Sequence, residues 1–114
     1  MSLESEVRSL WERYQDGLTA ADATAEDLTL MAEFLDALES GDVRAAEKRD
    51  GEWVANDWVK QGILCNFGLR DISPYEYGDV TYNDVMPLLD TDDLGERGTR
   101  NTPDGTVVRR GANL

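Results

Sequence analysis

The sequence predicts a mainly helical α+β fold, in which two N-terminal helices and a short β-hairpin surround a buried central helix. Three observations predict it. Apolar residues recur at helical spacing in two early segments, and an Asp-Gly turn separates two short runs between residues 43 and 55. A densely apolar segment follows at 57–67, after which periodicity is lost. We therefore expect a helical domain over 1–69 and an extended arm over 70–106.

The first helix is predicted over residues 2–16, with Gly17 ending it. Charged residues separate the positions of its apolar face. That face consists of Leu3, Val7, Leu10, Trp11 and Tyr14. The pattern is typical of an amphipathic helix that packs on a core.

The second helix is predicted to begin after Thr24, whose hydroxyl suits an N-cap, and to end at Gly41. Glu26 and Asp27 fall in the first turn, where the helix dipole favours acidic side chains. Its apolar face consists of Leu28, Met31, Leu35 and Leu38, with Phe34 beside them.

The segment 43–55 predicts a hairpin whose strands lie in "VRAAEK" and "EWVA", with "RDG" as the turn. Asn56 is then an N-cap candidate for a helix over 57–67 that Gly68 ends. Apolar residues surround much of this helix, which is typical of an element buried among several others.

The two tryptophans of this region are predicted to be structural. Trp53 should come from the return strand and Trp58 from the first turn of the helix. Both are expected to face the N-terminal helices and to cover Leu35 and Leu38.

Residues 70–106 are rich in turn formers and acids, and we expect them to be loosely held. Acidic pairs such as Asp92 and Asp93 are interpreted as solvated surface. In the last segment, 107–114, Val108 and Leu114 stand six apart, a spacing that fits the first rung of a hexapeptide-repeat β-helix.

Composition excludes several classes of function. The chain has 114 residues, enough for one domain, and 24 acids against 11 bases give it a net charge of −13. Bare nucleic acid and anionic membranes would be repelled. A single cysteine, Cys65, allows no internal disulfide, and without histidine a metal site is not expected. Neither a signal peptide nor a span of about 20 apolar residues is present.

One long stretch resembles a known family. The segment "LESGDVRAAEKRDGEWVANDWVKQGILCNFGL" (38–69) is similar to the N-terminal domain of tetrahydrodipicolinate N-succinyltransferases. The matching residues share the spacing of that family's motif. They are Ser40, Gly41, Arg44, Ala46, Glu47, Lys48, Gly51, Trp53, Trp58 and Lys60. The end "TRNTPDGTVVRRGANL" (99–114) looks like the segment that leads into the family's left-handed β-helix, whereas Asp84-Val85-Met86-Pro87 lacks a lysine that the family often has.

The resemblance implies a cytoplasmic homotrimeric enzyme that transfers a succinyl group from succinyl-CoA to the amine of ring-opened tetrahydrodipicolinate, in diaminopimelate and lysine biosynthesis. It also implies that the catalytic acids and the trimer contacts lie in coils beyond this chain, so we expect the chain alone to be inactive and to bind no cofactor.

The resemblance assigns one site residue, Arg100, which matches the family's substrate-binding arginine before the β-helix. Arg109 and Arg110 are expected to form structural ion pairs with acids of this chain instead. Glu47 and Lys48 are expected to serve the surface of the hairpin.

A second hypothesis rests on charge alone. A free-standing acidic interaction protein, such as a mimic of nucleic acid that occupies a basic surface, would have a similar composition. The motif at 38–69 favours the enzyme family, because a mimic does not need it.

Overall fold

The computed structural model describes all residues from 1 to 114 and contains three helices and two separate antiparallel hairpins. The elements in chain order are α1 (Leu3–Gln15), α2 (Ala25–Ser40), β1 (Ala46–Arg49), β2 (Glu52–Ala55), α3 (Asp57–Gly68), β3 (Ser73–Tyr77) and β4 (Val80–Asp84). The helices pack against one another, with α1 in contact with both α2 and α3. The predicted helices and the predicted first hairpin are confirmed.

The two N-terminal helices begin at side-chain caps. The Ser2 hydroxyl accepts a hydrogen bond from the Ser5 N–H at 3.2 Å, and α1 follows. At α2, the Thr24 hydroxyl accepts from the Asp27 N–H while the Asp27 carboxylate accepts from the Thr24 N–H, which is a capping box. Arg13 of α1 forms an ion pair with Asp27, so this cap also ties the two helices together.

The first hairpin has the turn that its Asp-Gly sequence predicts. Asp50 and Gly51 adopt φ angles of 51° and 83°, as a type I′ turn requires. Asn56 precedes α3 as predicted, but its side chain makes no capping hydrogen bond. Instead its amide donates to the Arg44 carbonyl at 2.7 Å and to the Glu47 carboxylate at 3.1 Å, and so fastens the hairpin to the start of α3.

The core lies between the three helices. Phe34 of α2 and Val59 of α3 are completely buried, and Val7 of α1 is nearly so. The Phe34 ring lies directly over Gly62, where a Cβ would come within 2.6 Å of the ring. Glycine at this position therefore sets how closely α2 and α3 approach each other.

Both tryptophans lie in the predicted elements, Trp53 in β2 and Trp58 in the first turn of α3, but only Trp58 faces the core as predicted. The Trp58 ring meets Phe34 edge to face at a centroid distance of 6.0 Å and packs on the core that contains Leu35, against which Leu38 also packs. Trp53 is 73% exposed. Alternation along β2 directs Val54 inward and Trp53 outward, and the two-stranded hairpin has no further layer on its outer face. Leu28, expected on the core face of α2, also lies at the surface.

A second hairpin lies within the predicted extended arm. β3 and β4 pair from Ser73↔Asp84 to Tyr77↔Val80. Beyond them Met86 joins the core beside Val7 and Phe34, and Leu94 is buried as well. The sequence did not predict these elements, because Pro, Gly and Asp interrupt the alternation of the tyrosines.

None of the helices is both long and apolar enough to cross a lipid bilayer.

The two tryptophans provide a matched pair for a stability test. Trp58→Ala should lower the free energy of unfolding by about 3 kcal/mol, because it leaves a cavity beside Phe34. Trp53→Ala should change it by less than about 0.5 kcal/mol, because that side chain is already in water. Urea unfolding followed by circular dichroism measures both values, and equal losses would contradict this assignment.

Candidate functional site

No preformed catalytic centre is visible in the chain. No cluster of acids and cysteine could hold a metal ion. Cys65 is fully buried, and burial raises the pKa of its thiol to about 11, so the sulfur stays protonated and out of reach of substrate. The surface of α2 carries open, shallow concavities, and acids such as Glu33, Asp36 and Asp42 line one of them.

The candidate substrate-binding residue, Arg100, lies on a loop whose two ends are joined. The Leu89 N–H donates to the Val108 carbonyl and the Arg110 N–H donates to the Pro87 carbonyl, both at 2.9 Å. These bonds form an isolated antiparallel bridge between Leu88 and Arg109. Residues 90–107 therefore form a closed loop that projects from a fixed base.

Inside this loop a short run of turns precedes Arg100. Leu94 is buried and anchors the turns, and the Thr99 N–H donates back to the Leu94 carbonyl at 2.9 Å. Gly98 adopts a φ of 80°, which reverses the backbone just before Thr99. The Arg100 side chain is exposed and forms no ion pair within the chain. Its guanidinium is therefore available to a carboxylate, and its proposed role stays a prediction.

The base of the loop is held on α2 by two carboxylates, of which Glu39 makes more of the contacts. The Glu39 carboxylate accepts hydrogen bonds from Arg110 Nε at 2.8 Å and from the Gly111 N–H at 2.9 Å. Arg110 also pairs with Asp36, and the Asn113 amide donates to the Glu39 carbonyl at 2.8 Å. Burial raises the pKa of Glu39, but the hydrogen bonds from Arg110 and Gly111 outweigh this effect and hold it below its ordinary value.

The neighbouring arginine fastens the loop base to the second hairpin. Arg109 Nε donates to the Asp84 carboxylate at 2.8 Å, and its guanidinium carbon lies 5.4 Å from the centre of the Phe67 ring. The hydrogen bond from Arg109 also lowers the pKa of Asp84. Arg109 and Arg110 thus serve in structural ion pairs, as predicted.

A further arginine is held by an amide instead of a carboxylate. Arg70 Nη2 donates to Asn66 Oδ1 at 2.9 Å, and the buried Asn66 amide donates in turn to the Gly62 carbonyl at 3.0 Å. Burial, together with the charge of Arg110, lowers the pKa of Arg70. Sequence reasoning missed Arg70, because only the fold places it beside Asn66.

The motif at 38–69 includes the first hairpin and α3. Comparison with known proteins identifies the family to which this motif belongs. Residues 2–69 match the model of the tetrahydrodipicolinate N-succinyltransferase N-terminal domain. The chain belongs to this family. The first hairpin and α3, with Trp58 on the core, lie within the matched residues.

Relatives extend the similarity to almost the whole chain. A 2,3,4,5-tetrahydropyridine-2,6-dicarboxylate N-succinyltransferase from Acinetobacter baylyi is 39% identical over 98 residues, which are 82% of this chain and 36% of that protein. The enzyme of the same name from Actinobacillus pleuropneumoniae is 34% identical over 98% of this chain and 42% of its own length. That from Granulibacter bethesdensis is 38% identical over 97% of this chain and 41% of its own length. The chain spans about two fifths of the length of these relatives.

The Glu39 carboxylate should control the order of the loop base. Glu39→Gln removes the negative charge that Arg110 and the Gly111 N–H both contact. Because the carboxylate is partly exposed, the free energy of local opening of residues 107–114 should fall by only about 1–2 kcal/mol. Backbone amide NMR relaxation of Gly111 measures this at neutral pH. Asp36→Asn is the matched control, because that carboxylate is 70% exposed and should contribute less than about 0.5 kcal/mol.

The stabilisation that comes from the hydrogen bonds to the Glu39 carboxylate should depend on pH. Because the folded pKa of Glu39 lies below the ordinary value of 4.5, its stabilisation is complete above 4.5 and is lost as the pH falls through the lowered value. The chemical shift of the Gly111 amide should follow this titration and should stay constant in Glu39→Gln. A wild-type shift that does not change between neutral and strongly acidic pH would contradict the assignment.

Proposed function

We propose that this chain forms the N-terminal part of a cytoplasmic N-succinyltransferase of lysine and diaminopimelate biosynthesis. The proposed reaction transfers succinyl from succinyl-CoA to the amine of ring-opened tetrahydrodipicolinate. The observation that carries the proposal is the family match over residues 2–69, with relatives of that name aligned through nearly the whole chain.

The reaction needs groups that this chain does not offer. The amine nitrogen attacks the thioester carbonyl carbon, the C–S bond breaks after the C–N bond forms, and coenzyme A leaves as the thiol. A base must take a proton from the amine, and donors must stabilise the oxyanion. The chain has no histidine and its only thiol is buried, so we assign these groups to the region that the relatives carry beyond the match.

Arg100 supplies the part of the chemistry that this chain does contain. We propose that its guanidinium binds a carboxylate of the acyl acceptor with two parallel hydrogen bonds. Its side chain is exposed and unpaired, and the Leu88–Arg109 bridge fixes the ends of the loop that carries it. In a chain with a net charge of −13, such a cation also offsets repulsion of a dianionic substrate.

The same proposal includes a homotrimer and no cofactor other than succinyl-CoA as co-substrate. The family match favours the enzyme hypothesis over the hypothesis of an acidic interaction protein, because only the enzyme hypothesis accounts for the matched helices and hairpin.

Activity measurements test the proposal in two steps. The chain alone should release no thiol from succinyl-CoA in the presence of the acceptor amine. A chimera, in which residues 1–114 replace the matched region of the Actinobacillus pleuropneumoniae enzyme, should regain turnover. Turnover by the chain alone, or a folded chimera without turnover, would contradict the proposal.

The role of Arg100 can be tested in that chimera. Arg100→Gln should raise the KM for the acceptor about 10- to 100-fold, because a charged hydrogen-bonding partner of its carboxylate is lost. Arg97→Gln is the matched control, since Arg97 is an exposed, unpaired arginine of the same loop. Equal KM values for the two variants would contradict the proposal that Arg100 binds the acceptor.

A further inference from the structure

The fold positions Arg70 without giving it an acidic partner. The chain has 24 acids, yet none of them forms an ion pair with this arginine. Five other arginines do pair with an acid of the chain, namely Arg8, Arg13, Arg49, Arg109 and Arg110. Arg70 is also partly buried, so its guanidinium has lost part of its hydration. A cation in this position is unfavourable until a counter-charge reaches it.

A buried amide fixes one edge of the Arg70 guanidinium and leaves another edge free. Asn66 is 1% exposed, and its Nδ2 donates to the Gly62 carbonyl at 3.0 Å. Because a carbonyl only accepts hydrogen bonds, Asn66 Oδ1 must face Arg70. This oxygen accepts from Arg70 Nε at 3.3 Å and from Nη2 at 2.9 Å. Both hydrogens of Nη1 and the second hydrogen of Nη2 are left without a partner in the chain.

The charges around Arg70 favour an anion beside it. Burial and then the positive charge of Arg110 lower the pKa of Arg70, while Tyr75 acts in the opposite direction. No carboxylate of the chain lies near enough to offset the repulsion between the two arginines. A bound anion would therefore relieve two unfavourable effects at once, the lost hydration of the guanidinium and its repulsion by Arg110.

We propose that Arg70 binds a small oxyanion, a carboxylate or a phosphate group, which accepts two parallel hydrogen bonds from Nη1 and Nη2. Asn66 is the positioning residue, because its anchored amide holds the guanidinium in place before the anion arrives. The net charge of −13 opposes anions at long range, but salt at physiological strength screens charges more than about 8 Å away. The proposal is independent of the proposed reaction, since it concerns this chain alone.

An NMR titration of the chain tests the proposal directly. The Arg70 Nε–H resonance is followed at neutral pH and constant ionic strength while sodium phosphate or, separately, sodium succinate is added. A shift that saturates with a Kd on the order of 1–10 mM for at least one anion is expected. Saturation by phosphate alone would identify a phosphate ligand, and saturation by succinate alone a carboxylate ligand. Shifts that stay linear up to about 50 mM with both anions would overturn the proposal and leave Arg70 as a cation that stabilises the C-terminus of α3.

Variants with the same change of charge show whether the anion binds at Arg70. With the Asn66 side-chain amide as the reporter, Arg70→Gln should weaken binding at least about tenfold, because both hydrogen bonds to the anion are lost. Arg97→Gln is the matched control, since it removes an exposed, unpaired arginine and should bind as the wild type does. Equal affinities of Arg70→Gln and the wild type would overturn the proposal. If Arg70→Gln does not fold, Arg70→Lys and Arg97→Lys replace the pair, and only Arg70→Lys should lose affinity, because lysine lacks the planar fork.

Discussion

The first half of the molecule depends on the contact between Phe34 and Gly62. The phenyl ring occupies the space that any side chain at position 62 would need, so α2 and α3 meet at a distance that only glycine permits. Trp58 meets the same ring, and Val59 and Met86, the latter from the second half of the chain, belong to the same core cluster. Because this cluster includes residues from every helix, a change of volume at Phe34 should be felt across the domain.

Charge, more than apolar burial, joins the C-terminal segment to this core. Glu39 binds Arg110 and Gly111, while Asp84 binds Arg109, and each pair links positions far apart in sequence. The chain has fewer than half as many bases as acids, yet it commits two adjacent arginines to this junction. Since the Arg110 and Glu39 side chains are only partly exposed, salt should screen their pair less than a fully exposed pair.

Local backbone chemistry could be read from the sequence, and long-range geometry could not. The capping position of Thr24, the Asp50–Gly51 turn and the end of α2 at Gly41 follow from properties of a few adjacent residues, and the structure has all of them. The orientation of Trp53 depends on whether another layer covers the hairpin, which no local pattern reveals. The ionic character of Arg109 and Arg110 was predictable from the excess of acids, but their partners were not, because Glu39 lies 71 residues before Arg110. The placement of Arg100 on a closed loop likewise required the fold.

The bridge between Leu88 and Arg109 has a consequence for how this family can vary. It joins the two ends of the loop 90–107 directly, so that these ends stay in place although only Leu94 between them is buried. Closing a loop of twice the length would cost only about 0.6 kcal/mol more. Insertions and deletions should therefore accumulate in this stretch during evolution, while the residues at its base keep their spacing. A family of proteins could in this way change the reach of the loop that carries Arg100 without rebuilding the domain beneath it.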